Sequence, residues 1–130
     1  MIKRIDHISI AVKNLGSEIP KWRDVLGLKL LKVEKVLSQK VEVAFFENGL
    51  ELTSPLDENS PVHKFLEKRG EGLHHICFEV DDLEGSVKKI CEAGFEKIEA
   101  SRKGADDSEV AFFRPSNFSG VLVELKQKKR

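Results

Sequence analysis

The sequence has no excess charge of either sign and no long apolar run, and each absence removes a class of function. Lysine plus arginine and aspartate plus glutamate number 22 each, so the formal net charge is zero and nothing electrostatic favours nucleic acid. No apolar stretch approaches the roughly 18 residues that a membrane span needs. The chain opens directly on a strand pattern with no signal peptide, so the expected setting is cytoplasmic. Cysteine is scarce, with two in 130 residues. Cys77 falls within an apolar strand, and Cys91 is expected to share a helical face with Val87 and Ile90. Both read as small buried hydrophobes in a reducing compartment. There is no phosphate-binding glycine loop and no serine or cysteine triad pattern. "KGADDSE" (Lys103 to Glu109) reads as a loop without calcium-hand spacing, and the basic tail "KQKKR" (Lys126 to Arg130) as a solvated terminus. What remains, 40% apolar and 34% charged residues, is the composition of one compact soluble domain.

What is present is a repeat. "EVAFF" occurs at Glu42 to Phe46 and again at Glu109 to Phe113, 67 residues later. "IDHISIAVKNL" (Ile5 to Leu15) lies over "LHHICFEVDDL" (Leu73 to Leu83) at an offset of 68, which sets His7 over His75. A helical stretch follows each block and closes at Gly27 or Gly94. "NGLEL" (Asn48 to Leu52) matches the end of "SGVLVEL" (Ser119 to Leu125) at an offset of 73, placing Glu51 over Glu124. Matched blocks in the same order indicate two copies of one module. The expected boundaries are 4–56 and 72–126, within a single domain spanning 1–130.

Each module reads as strand, helix and three strands. In "DHISIAV" the alternation sends His7, Ser9 and Ala11 to one face and Ile8, Ile10 and Val12 to the other. The helix that follows is expected to start at a Ser17 cap, with Pro20 in its first turn, an Ile19/Trp22/Leu26 stripe and Gly27 as its stop. Strands are expected at Leu28 to Val36, Val41 to Phe46 and Leu50 to Ser54. The second copy predicts a strand from Leu73 to Val80 and a helix from Asp82 to Ala93. Its further strands are Glu96 to Ala100, Glu109 to Phe113 and Val121 to Leu125. Between the copies, Ser60 as cap, Pro61 in first position and a Val62/Phe65/Leu66 stripe ending at Gly70 predict a joining helix over about 60–70. The fold class is therefore α+β, two tandem βαβββ modules forming a curved mixed sheet.

Alternation also isolates four polar residues. Glu51 lies between Leu50 and Leu52, and Glu124 between Val123 and Leu125. With His7 and His75, they occupy the sheet faces that the helices leave uncovered. Two imidazoles and two carboxylates suit a divalent first-row metal with room for water or substrate oxygens. Without a metal, two facing carboxylates would repel and one would stay protonated. His74 points away from its neighbour His75 by alternation, and His63 falls on the exposed flank of the joining helix; both read as structural or solvated.

These residues carry a resemblance to the vicinal oxygen chelate superfamily, which includes glyoxalase I, extradiol dioxygenases and antibiotic-resistance proteins. Within it, "LTSPLDENSPVHKFLEKRGEGLHHICFEVDDLE" is similar to methylmalonyl-CoA epimerases, as are "IDHISIAVKNL", "DVLGLKL", "VAFF" and "GVLVEL". Carried over by position, the resemblance implies His7, Glu51, His75 and Glu124 as metal ligands around a central cavity. Gln often stands at the second of these in the family. The metal would be cobalt, manganese, nickel or zinc. The implied reaction moves the acidic hydrogen of an acyl-CoA thioester from one face of the α-carbon to the other, with a metal-stabilised enolate between. Glu124 is the candidate base; where some bacterial members carry a second glutamate, this chain has Val43. Where the family tends to have His-Pro-Lys, it has Arg114, Pro115 and Ser116, and its Ala105 to Ser108 replaces a glycine-rich basic loop. The family implies a homodimer. Two other activities share the fold, a glyoxalase I-type lyase with the same four ligands and a non-catalytic drug-binding protein without them.

Overall fold

The computed structural model describes residues 1–98 and 108–128. It is an α+β structure of mixed strand direction. In chain order the elements are β1 (Ile2–Ala11), α1 (Leu15–Pro20), β2 (Leu30–Val36), β3 (Val41–Phe46), β4 (Leu50–Pro55), α2 (Pro61–Arg69), β5 (Gly72–Val80), α3 (Leu83–Glu92), β6 (Glu109–Phe113) and β7 (Leu122–Gln127). The chain forms two compact units, a first of His7–His74 and a second of Met1–Asp6 with His75–Arg130.

In the first unit the strands run in the order β2-β3-β4-β1. β2, β3 and β4 form an antiparallel meander, because the turns joining them are short. Lys40, Asn48 and Gly49 supply the left-handed backbone those turns require, with φ of 55°, 63° and 76°. β4 pairs with β1 in parallel, with Ser9 opposite Glu51. The covered face buries Val12, Leu15, Ala44, Phe46 and Leu52, and Ile10, Ile19 and Trp22 pack against them.

The second unit repeats this arrangement with three strands among the described residues. β5 and β7 are parallel, with Cys77 opposite Glu124, and β7 and β6 are antiparallel. The core consists of Val80, Leu83, Ala111, Phe113 and Leu125. Each is the same residue type as its counterpart in the first core, at offsets of 68, 68, 67, 67 and 73. Arg4 and Asp6 bring charge to this unit. Arg4 Nε donates to Glu79 Oε1 at 2.8 Å, Lys126 Nζ stands 3.4 Å from Asp6, and Lys3 and Lys128 lie 3.5 and 3.6 Å from Glu79. Burial alone would raise the Glu79 carboxyl's pKa; the Arg4 hydrogen bond and the charges of Lys128, Arg4 and Lys3 outweigh it and hold that pKa below its ordinary value.

Several expectations change on contact with the structure. The first helix begins at Leu15, three residues earlier than a Ser17 cap would set it. Asn14 is its cap: the Asn14 side chain accepts from the Ser17 N–H at 3.1 Å. Pro20 therefore falls inside the helix, where it offers no N–H and its ring crowds the preceding turn. The chain widens there into a π-turn over Lys21–Val25, with the Leu26 N–H donating to the Lys21 carbonyl. The extra residue rotates Leu26 off the Ile19/Trp22 stripe, and it is 64% exposed. Cys91 is also exposed. On α3 it lies about 80° around the axis from Leu83, beyond the buried stripe, whereas Cys77 is fully buried as expected. The expected strand from Glu96 to Ala100 appears as a bridge between Lys97 and Phe113. Its last two residues, Glu99 and Ala100, lie outside the described residues, as do positions 103–107 of the "KGADDSE" loop and the final two of the basic tail.

The joining helix matches its expectation. Ser60 caps it by accepting from the Val62 N–H at 3.2 Å, Pro61 opens it, and Gly70 follows its end with φ 74°. Val62 and Leu66 are buried, and His63 is half-exposed, with Nε2 3.5 Å from Glu67.

Candidate metal centre

Each unit holds one histidine–glutamate pair, built the same way. In the first unit the parallel register sets Ser9 of β1 opposite Glu51 of β4. His7 is two residues before Ser9, so its ring leaves the same face and leans along the strand towards Glu51. His7 Nδ1 lies 3.3 Å from Glu51 Oε2. In the second unit Cys77 is opposite Glu124, and His75 Nε2 lies 3.1 Å from Glu124 Oε1. Glu51, His75 and Glu124 are buried, with exposures of 8%, 8% and 3%, and His7 is half-buried.

These spacings fit a metal. An ion with bonds of about 2.1 Å to imidazole nitrogen and carboxylate oxygen sets neighbouring ligands about 3.0–3.4 Å apart. Both pairs already stand at that separation. The donors are of the borderline type that first-row divalent ions prefer.

Cross-strand rows extend from the glutamates. In the first unit one row reads Ser9–Glu51–Phe45–Lys32, the next Ala11–Thr53–Val43–Glu34, and a third Pro55–Val41–Val36. Ser9 and Thr53 join their hydroxyls at 2.7 Å, which satisfies both in a buried position. Lys32 Nζ sits 4.9 Å from the centroid of the Phe45 ring. In the second unit the corresponding rows read Cys77–Glu124–Phe112 and Glu79–Lys126–Val110. Phe112 stands edge-on to His75, with centroids 6.3 Å apart. The sequence reading missed Phe45 and Phe112. Their signal was in "EVAFF" itself, where alternation gives Ala44 and Phe46 to the core and leaves Phe45 for the face of Glu51. His74 packs edge-on against Phe65 at 4.9 Å, in the structural place expected of it.

A strand–helix–meander unit used twice, with one His–Glu pair in each, is the glyoxalase-like α+β architecture. The chain belongs to the Glyoxalase/Bleomycin resistance protein/Dioxygenase superfamily, which its residues 6–112 match. It is 43% identical to the Bacillus subtilis protein YqjC, over 98% of this chain and 94% of that one. It is 36% identical to the ethylmalonyl-CoA/methylmalonyl-CoA epimerase of Cereibacter sphaeroides, over 98% of this chain and 99% of that one. Among solved structures, a Streptomyces coelicolor methylmalonyl-CoA epimerase variant in complex with 2-nitronate-propionyl-CoA superimposes with a TM-score of 0.90 at 31% identity, covering 100% of both chains.

Proposed function

We propose that this chain is a methylmalonyl-CoA epimerase that works with one divalent ion held by His7, Glu51, His75 and Glu124. The observation that carries the reading is the doubled His–Glu pair, with the same donor types at metal-ligand spacing in each unit. Likeness to epimerases over nearly the whole chain supports it. The donor set suits cobalt, manganese, nickel or zinc. When bound, the ion supplies Lewis acidity towards the thioester and carboxylate oxygens of the acyl group.

The chain's own residues handle the proton. The hydrogen between a thioester and a carboxylate is acidic, and a carboxylate at the α-carbon can take it. Glu124 fills that role for one face of the substrate. It is the most buried of the four residues at 3% exposed, and Phe112 is its cross-strand neighbour. Both features limit the water that would otherwise solvate the charge. The substrate in this reading is an acyl-CoA thioester, and the working form is a cytoplasmic homodimer. No helix among the described residues is long and apolar enough to cross a membrane.

The test is solvent exchange. Metal-loaded protein incubated with (2R)- or (2S)-methylmalonyl-CoA in heavy water should place deuterium at the α-carbon faster than an enzyme-free control. The mixture should also relax towards equal amounts of the two epimers. No uptake at saturating substrate, with one metal per chain, would overturn the epimerase assignment. Conversion of the methylglyoxal–glutathione hemithioacetal by the same preparation would replace it with a lyase.

A further inference from the structure

We propose that Lys32 is a positioning residue that determines specificity for a carboxylated acyl group, its ammonium taking the carboxylate oxygen that the ion would leave free in a thioester seated beside Glu51. This rests on the epimerase reading and adds a residue to it. Lys32 shares a cross-strand row with Glu51, with Phe45 between them. Residues directly opposite in such a row leave the same face of the sheet, so Lys32 and Glu51 project together. The backbone of Lys32 is two strand spacings from Glu51, about 10 Å. Its ammonium lies over the ring of Phe45, the residue between them, 4.9 Å from the centroid. The flexible lysine stem can swing the charge across that ring towards the glutamate's side of the row.

Charge on this face is otherwise sparse. Of the residues in the three rows of the first unit, Lys32 is the one cation, and Glu34 is its ion-pair partner at 3.0 Å. Lys32 is 58% exposed at its side chain, so the pair is a weakly held surface contact that can be exchanged for another carboxylate. The face of the ring beneath it attracts the ammonium and holds it on this side of the sheet, where an incoming anion can meet it. An ammonium on a flexible stem also suits an epimerase. It imposes no planar geometry, so it can follow the carboxylate of either epimer while hydrogen and methyl exchange places.

Calorimetric titration of the metal-loaded protein with methylmalonyl-CoA and with propionyl-CoA, which lacks the carboxylate, separates this role from others. Lys32→Met should weaken methylmalonyl-CoA about tenfold and propionyl-CoA less than about twofold, as loss of one charge-assisted hydrogen bond predicts. Lys32→Arg should restore most of the difference. In turnover, the Lys32→Met effect should fall on KM with kcat nearly unchanged. Equal weakening of both thioesters would place Lys32 on the nucleotide end and overturn the proposal, as would unchanged affinity for methylmalonyl-CoA. Wild-type protein that binds neither thioester would instead overturn the substrate reading, and this role with it.

Discussion

The two units are alike on the helix-covered face and unlike one row beyond their glutamates. Five buried core residues are the same type in both, Val12 with Val80 through to Leu52 with Leu125. On the opposite face the first row keeps a glutamate and a phenylalanine in each unit. The second row then diverges. Ala11 and Thr53 in the first unit stand where Glu79 and Lys126 stand in the second. Packing against a helix tolerates little change of volume, which explains why the cores coincide. The second row is buried in the first unit as well, with Ala11 at 0% and Thr53 at 4% exposed, yet each unit uses it differently: Thr53 joins its hydroxyl to Ser9 of the first row in one, and Glu79 and Lys126 enter an ion-pair network with Arg4 and Asp6 in the other.

The largest way to test that equivalence is to damage both cores alike. Phe46→Ala and Phe113→Ala should each destabilise by about 3–5 kcal/mol in urea unfolding, since both side chains are almost wholly buried. A difference of more than about 2 kcal/mol between them would show that the two cores do not carry equal weight.

The glutamates should then separate by role. If Glu124 is the base proposed above, Glu124→Gln keeps an oxygen donor and removes the basicity, so turnover of methylmalonyl-CoA should fall about hundredfold with metal retained. Glu51→Gln, which makes the residue often found in the family, should leave turnover within about tenfold. Equal losses would mean that both act only as ligands or both as bases. Metal analysis sharpens the same contrast: a His7→Ala, His75→Ala double variant should hold almost no ion, against about one per chain in the wild type.

A smaller effect should follow pH. The pKa of Glu79 is held low in the folded chain, so its ion pairs contribute stability above the unfolded carboxyl value, and this is lost as pH falls through the folded value. Glu79→Gln should flatten that acid limb in denaturant titrations at a series of pH values. Ala11, its counterpart, has nothing to titrate, and Ala11→Ser should leave the slope unchanged. The mildest probe is a thiol reagent, which should modify Cys91 in native protein and Cys77 only after unfolding.

Much of this site was legible because strands have a period of two. His7, Ser9 and Ala11 separate from Ile8, Ile10 and Val12 on alternation alone, and the offsets supplied the second copy. Alternation in "EVAFF" also marks Phe45, but cross-strand register was not legible, since it depends on where turns close, and with it went the row that joins Lys32 to Glu51 and the Ser9–Thr53 bond. The misplacement of Leu26 has a different source. A regular helix was assumed through Pro20, yet its counterpart in the second copy, Lys88, has the N–H that Pro20 lacks, and α3 runs unbroken over Leu83–Glu92.

Because β1 and β4, like β5 and β7, are parallel neighbours, the His–Glu gap is fixed by hydrogen-bond registration between two adjacent strands. The turn before the glutamate strand plays no part in that measurement. The second unit shows this, since its chain from Phe113 to Glu124 is six residues longer than that from Phe46 to Glu51, 73 less 67 in offset, and yet its pair stands at 3.1 Å against 3.3 Å. Turn length and donor spacing are thus independent variables in this architecture. A descendant could lengthen, shorten or recompose that turn without changing the spacing of the His–Glu donors, which is how one scaffold can vary its loops over a fixed frame.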